Sequence, residues 1–276
     1  MKIVSLSRQI GSYGDEIALI LAEKTGLKLI DQAEIHHLAE DCDPSFRKAC
    51  SLYERETPKN FLERFFFDEP AYISLFESLN FELAGRGNVI LIGRGAQIVL
   101  QDVPGVFKVR VVAPFETRVQ RVMEEQNLSL EMARDLVQRH GHRRRALVEG
   151  IYHRDLSDWA LYDIILNTGN LTLEEAAAVL LGALAGVKPV ENPEKTSADL
   201  KARALAKKIE SAIRQVVTPA AFSNINVAVS GPGEITITGA VTDGGSKGQA
   251  QKIASGFAGV TKIINNIQAS TAFSAY

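Results

Sequence analysis

A chain of 276 residues that is 46% hydrophobic and 23% charged can bury a real core and suits a soluble globular protein of one or two domains. Its formal net charge of −2 is too even to point to nucleic acid as a partner, and no apolar run approaches the roughly 18 residues needed to cross a bilayer. Cys42 and Cys50 are too few for a disulfide framework and are not spaced like a metal knuckle, so they read as reduced thiols. Met1 leads directly into a strand with no cationic and then apolar leader, so a cytoplasmic location is expected.

In chain order, KIVSLS reads as a strand, followed by a glycine turn and a helix from about Asp15 to Lys24. LKLI, NVILIG, FKVRVVA and YDIILNT are further strand signals, separated by helical stretches that include residues 42–84. Short apolar runs alternating with helices predict a mostly parallel sheet covered on both faces, an α/β nucleotide-binding architecture. VKPVENPEKTSA, with two prolines and no apolar period, reads as a connector, dividing the chain into residues 1–186, a linker at 187–197 and a second domain at 198–270. Beyond it, Leu200, Leu205, Ile209, Ile213 and Val216 predict an amphipathic helix. Strands NINVAVS and EITITGAV around GPG, a helix near Gln249–Phe257 and a strand TKIINNIQ complete a small α+β domain of α-β-β-α-β order. Residues 188–276 carry 10 Lys/Arg and 6 Asp/Glu against 21 and 27 in the rest, consistent with two modules.

The stretch SRQIGSYG puts Gly11, Ser12 and Gly14 at a strand-to-helix turn, where backbone N–H groups and the positive end of a helix can hold an anion. The full P-loop pattern adds a lysine for the β/γ-phosphates and a Ser/Thr for magnesium. With Gly11 aligned to the glycine four residues ahead of the motif's closing Ser/Thr pair, Gly14 and Glu16 stand at those two positions. Asp15 and Glu16 add negative charge beside the turn, or simply complement the helix dipole. A glycine turn by itself fits a tight loop without a ligand equally well.

SRQIGSYG, LAEKTGLKLID, VILIGRGAQIVL and YDIILNTGNLTLEEA, in that order over roughly residues 1–184, resemble the cytidylate kinase-like family. Its members are relatives of nucleoside monophosphate kinases whose glycine loop begins with Ser-Arg and often has no P-loop lysine. Asp15 departs from the family, where a basic residue is common. The resemblance implies a P-loop kinase-like fold, ATP and Mg²⁺ as cofactors, and a nucleoside monophosphate such as CMP as acceptor. Arg8 would then supply the cation that lysine normally brings, its guanidinium fork matching phosphate oxygens, or else serve as a structural residue of the loop. Arg94, in Gly93-Arg94-Gly95, matches an arginine that these kinases place on the acceptor phosphate; Gly95 replaces the Asp that reads sugar or base, which weakens the case for cytidine. Asp31, at the end of LKLID, would reach the mouth of the site, toward magnesium-bound water or the acceptor, or else cap a helix.

The cluster HGHRRR, His140 to Arg145, and Arg154 fall between two helical stretches, where such kinases carry a mobile lid whose arginines stabilise the transferred phosphoryl group. Successive residues on a helix diverge by about 100°, so at most two can face inward. Arg143, Arg145 and Arg154 are the catalytic candidates, with a solvated basic face as the alternative. His140, His142 and His153 lack carboxylates at metal-ligand spacing and read as solvated or packed in the lid. Residues 42–84 resemble the helical acceptor-binding insert; Phe65, Phe66, Phe67, Tyr72 and Phe76 are core, a base-stacking platform or a dimer contact.

The C-terminal GEITITGAVTDGGSKGQAQKIASGFAGVTKIINNI looks like a BON domain, with Gly239 admitting close backbone packing and Gly259 ending a helix. Family relatives are often envelope proteins linked to phospholipid or small-ligand binding. Two functions follow: a phosphotransferase acting on a nucleoside monophosphate, and a nucleotide-responsive binding protein signalling through the BON-like module. A phospholipid-surface scaffold is a third, and homo-oligomerisation is open.

Overall fold

The structure, a computed structural model, describes residues 1–30, 70–217 and 224–269, apart from the side chains of Pro70 and Tyr72. Asp31, both cysteines and Phe65, Phe66 and Phe67 lie outside the described residues. The chain divides into two compact units, Met1–Lys59 with Arg86–Glu194, and Asn60–Gly85 with Lys195–Tyr276.

The first unit holds a five-stranded sheet of β1 (Ile3–Arg8), β2 (Lys28–Ile30), β3 (Val89–Ile92), β4 (Val106–Val112) and β5 (Ile164–Asn167) in the order β2-β3-β1-β4-β5. Every pairing is parallel, with Ile3 opposite both Val89 and Val106. α1 (Gly14–Thr25) and α6 (Leu173–Gly186) cover one face, and Val4, Leu6, Ile17, Leu21, Val109 and Leu180 meet there. Ile3, Val4 and Leu6 are all fully buried, which is why the strand reads as an unbroken apolar run. α1 ends at Gly26 in the left-handed conformation, its N–H donating to Ala22 O. A reciprocal Thr172–Glu175 capping box opens α6.

α4 (Phe115–Gln126) and α5 (Leu130–Tyr152) lie between β4 and β5. The expectation of two helices flanking HGHRRR is corrected, since the cluster sits inside one uninterrupted 23-residue helix. Gly141, a poor helix former, does not break it, because its neighbours Arg143 to Leu147 are strong formers and outweigh a cost of about 1 kcal/mol.

The second unit contains α2 (Pro70–Gly85), α7 (Pro193–Val216), β6 (Asn226–Gly231), β7 (Glu234–Val241), α8 (Gly244–Ser255) and β8 (Lys262–Ala269). β6 pairs antiparallel and β8 parallel with β7. Ile209, Ile213, Val227, Ile237, Ala250 and Ile267 form its core. Pro193 opens α7, so the second half of the expected linker is helical, at the position where proline's missing N–H costs nothing. A Cβ at Gly239 would come within 2.6 Å of Asn224 O, which accounts for that glycine. The helix terminator is Gly256 rather than Gly259, which lies at φ +90° in the turn beyond.

α2 runs antiparallel to α7. Ser78 donates to Ala204 O at 2.9 Å, Ser197 bonds Gly85 O, and Gly85 approaches Leu200 so closely that a Cβ would sit 3.4 Å from it. Lys207 pairs with Glu77 at 2.8 Å and Lys208 with Glu82 at 2.6 Å. At the centre, fully buried Glu210 accepts from Ser74 Oγ, Val227 N–H, Lys207 and Arg214. Burial alone would lower the pKa of Lys207, but Glu77 and Glu210 outweigh it and hold it above the usual value. The reading that placed all of residues 1–186 on the nucleotide side thus differs from the packing, which gives α2 to the C-terminal unit. Phe76 is buried there as core.

Candidate functional site

The carboxyl ends of β1, β3 and β4 converge, as they do where open α/β sheets bind ligands. From β1 the chain enters the loop Gln9–Tyr13 and then α1. Gly11 has φ +72°, and a Cβ there would lie 2.6 Å from Arg118 O on α4. A Cβ at Gly14 would overlap Cβ of Arg8 and lie 2.6 Å from its Cγ. The stem of Arg8 therefore occupies the space above the position where the sequence pattern expects lysine, and its Nε donates to Asp15 Oδ1 at 2.9 Å.

Ser12 is fully buried, and its hydroxyl faces two carbonyls, Gln9 O at 2.7 Å and Val111 O at 3.2 Å. That hydroxyl is engaged by the loop itself. Glu16 is half-buried, and burial followed by the nearby Glu125 and Asp15 charges raises its pKa, with Arg121 acting in the opposite sense.

After β3, Gly93, Arg94 and Gly95 have φ +71°, +60° and +71°. Arg94 pays about 1 kcal/mol or more for that conformation, and such strain concentrates at functional sites. The glycines have a steric reason. A Cβ on Gly93 would lie 2.9 Å from Nη2 of Arg144 and 2.9 Å from Nη1 of Arg8; one on Gly95 would be 2.5 Å from the Tyr152 ring.

α5 crosses these strand ends, and Arg144 Nη1 donates to Arg8 O at 2.6 Å. Beneath it lies a cavity of about 190 Å³ lined by Arg8, Arg110, Arg118, Arg144 and Arg145 together with His140 and His142, and among the described residues no Asp or Glu lines it. Arg110 is oriented by bonds to Tyr162 Oη at 2.9 Å and Ser7 Oγ at 3.3 Å. Arg118 is buried and donates from Nε to Ala113 O at 3.0 Å; burial lowers its pKa. A small, cation-walled cavity at strand ends can gather and orient phosphate oxygens.

Of the sequence candidates, Arg8 and Arg145 line this cavity, while Gly11, Ser12, Gly14 and Arg94 stand on adjoining turns. Arg143 and Arg154 are exposed and outside its wall. Arg144 takes the inward position instead. The phase was legible, because Arg144 continues the buried stripe Ala133, Val137 and Val148 along α5. Arg110 and Arg118 were missed as well; an arginine inside the apolar strand VFKVRVV is itself a signal.

The described residues do not fit a resident magnesium ion. Asp15 is engaged by Arg8, Ser12 by two carbonyls, and Glu16 is half-buried, with burial raising its pKa. No group of three or more His, Cys, Asp or Glu among the described residues could hold a metal.

The family model described as the cytidylate kinase-like family matches residues 3–170, and that of the BON domain matches residues 201–271. A cytidylate kinase from Methanopyrus kandleri is 27% identical over 200 residues, covering 69% of this chain and 97% of that protein. One from Archaeoglobus fulgidus is 24% identical over 66% of this chain and 93% of its own. Among solved structures, an uncharacterized protein from Eubacterium ventriosum shares the fold at TM-score 0.52 with 18% identity, covering 67% of this chain and 98% of that one.

Proposed function

The chain belongs to the cytidylate kinase-like family and carries a C-terminal BON domain, and on that premise we propose that it transfers the γ-phosphoryl group of ATP to a nucleoside monophosphate of the CMP type. The observation that carries this reading is the cavity at the strand ends, walled by five arginines and, among the described residues, by no carboxylate. Phosphoryl transfer asks mainly for positioning and for neutralisation of charge on the moving group. Arg8 and Arg144, held against each other across Gly93, are placed to bind oxygens of the transferred group, with Arg145 beside them. Arg94 would hold the acceptor phosphate. α5 over the site limits water, which would otherwise compete as acceptor. Magnesium enters as part of the Mg-ATP substrate.

One observation favours a second reading. Gly14 and a half-buried Glu16 stand where the lysine and magnesium-binding hydroxyl would be, as suits a protein that binds nucleotide and signals through its BON domain. A coupled assay with Mg-ATP and each common ribo- and deoxyribonucleoside monophosphate separates the two. The kinase predicts turnover, with CMP or dCMP among the acceptors, and a loss of about 10²- to 10³-fold in kcat/KM for Arg144→Ala. Nucleotide binding in calorimetry without turnover on any acceptor would establish the sensor. Among the described residues no helix is long and apolar enough to cross a membrane.

A further inference from the structure

We infer that Arg121, acting with Thr168, is a positioning residue that sets the peptide groups of the glycine loop for the donor phosphates. The inference rests on reading that loop as the donor site. Arg121 stands on α4. Its guanidinium lies 3.6 Å from the centroid of the Tyr13 ring. Nη1 donates to Gly11 O at 3.3 Å and Thr168 Oγ1 at 3.0 Å, and Nη2 to Thr168 O at 2.8 Å. Thr168, fully buried after β5, in turn donates from Oγ1 to Ser12 O at 3.0 Å.

These bonds fix two consecutive peptide planes. In a planar trans peptide the C=O and the following N–H point in opposite directions. Holding Gly11 O toward Arg121 turns the N–H of Ser12 the other way, where it donates to Gln9 O at 3.2 Å. Holding Ser12 O toward Thr168 likewise turns the N–H of Tyr13 away from Thr168, beside the first amides of α1, which have no intrahelical acceptor. Two carbonyls that would repel an anion are thereby occupied by donors.

Tyr13 shows why a strap is needed. It caps α1 with φ 66° and ψ 14°, a left-handed conformation that glycine adopts freely and tyrosine does not, and no side-chain bond caps the helix. Stacking under Arg121 offsets that strain. Released, Tyr13 would relax toward negative φ and rotate the peptides on either side. The fork and flat face of arginine serve three acceptor contacts and a ring at once; lysine keeps only the charge.

Calorimetric titration of the full-length chain with Mg-ADP tests this, alongside thermal melts of each variant. Arg121→Lys and Thr168→Val each weaken Mg-ADP binding by about tenfold, whereas Thr168→Ser, which keeps the hydroxyl, binds within about twofold of the parent. In the kinase assay the same two variants raise the KM for ATP and leave the acceptor KM unchanged. The serine/valine contrast decides the matter should the Arg121 variant fail to fold. Wild-type affinity in a folded Arg121→Lys protein, or equal losses for Val and Ser, overturns the positioning role alone. Absence of Mg-ADP binding by the unaltered chain overturns the donor-site reading, and the inference with it.

Discussion

The cavity in the first unit and the Glu210 cluster in the second concentrate charge in opposite ways. Around Glu210, one buried carboxylate meets two cations, a hydroxyl and a backbone amide, so its lone pairs are satisfied within the protein. Around the cavity, five guanidinium groups share a wall to which no carboxylate of the described residues contributes, Asp15 meeting Arg8 from outside it. A closed network needs nothing further and serves architecture, whereas an excess of one sign at a concave surface draws an ion of the other. The contrast separates structural from functional arginines better than exposure does, since Arg214 and Arg144 are both half-buried.

The comparison can be broken first at Glu210. Glu210→Ala should destabilise the full chain by about 3–5 kcal/mol in denaturant unfolding, because Lys207 and Arg214 would lose their common partner. A loss below about 1 kcal/mol would mean that the network closes without it. Ser12 sharpens the boundary on the other side. If its hydroxyl serves the loop, Ser12→Ala lowers stability by about 1–2 kcal/mol with little change in Mg-ADP affinity; the reverse pattern would make it a phosphate ligand.

The smallest effect is expected at Glu16. Its folded-state pKa is raised, so at neutral pH its charge opposes folding, and Glu16→Gln should raise the melting temperature slightly. That gain is fullest above the raised pKa. It shrinks as pH falls through that value and vanishes below the ordinary carboxylate range, where the side chain is protonated in both states. In melts from pH 3 to 8, a loss of stability in Glu16→Gln that grows as pH rises would overturn this and place Glu16 in a favourable ion pair instead.

The parallel sheet was legible in the sequence because strands buried on both faces leave apolar runs such as IVSLS and VILI. The glycine loop was legible from composition, and so was the second module from its change of period. The choice among Arg143, Arg144 and Arg145 turned on the phase of one long helix, which the expectation of a lid between two helices had left unset. Membership of α2 was hidden for a different reason. Its partners lie 112 to 140 residues away, and nothing local in PAYISLFESLNFELAG says which surface will cover Ser74, Ser78 and Gly85. Arg121 escaped notice because its partners, Gly11 and Thr168, come from two distant turns.

The placement of α2 also bears on how such a chain can be inherited. Its sequence falls within the kinase-like match, yet its buried face is complementary to α7. Severing the gene at the proline-rich connector would strip that face and leave Ser74, Ser78 and Phe81 without the α7 groups that meet them, so the halves cannot be exchanged between proteins like beads on a string. Substitutions at Ser74, Glu77 or Glu82 should be tolerated over descent mainly when Glu210, Lys207 or Lys208 changes with them. The join between the two families has become a shared trait rather than a seam.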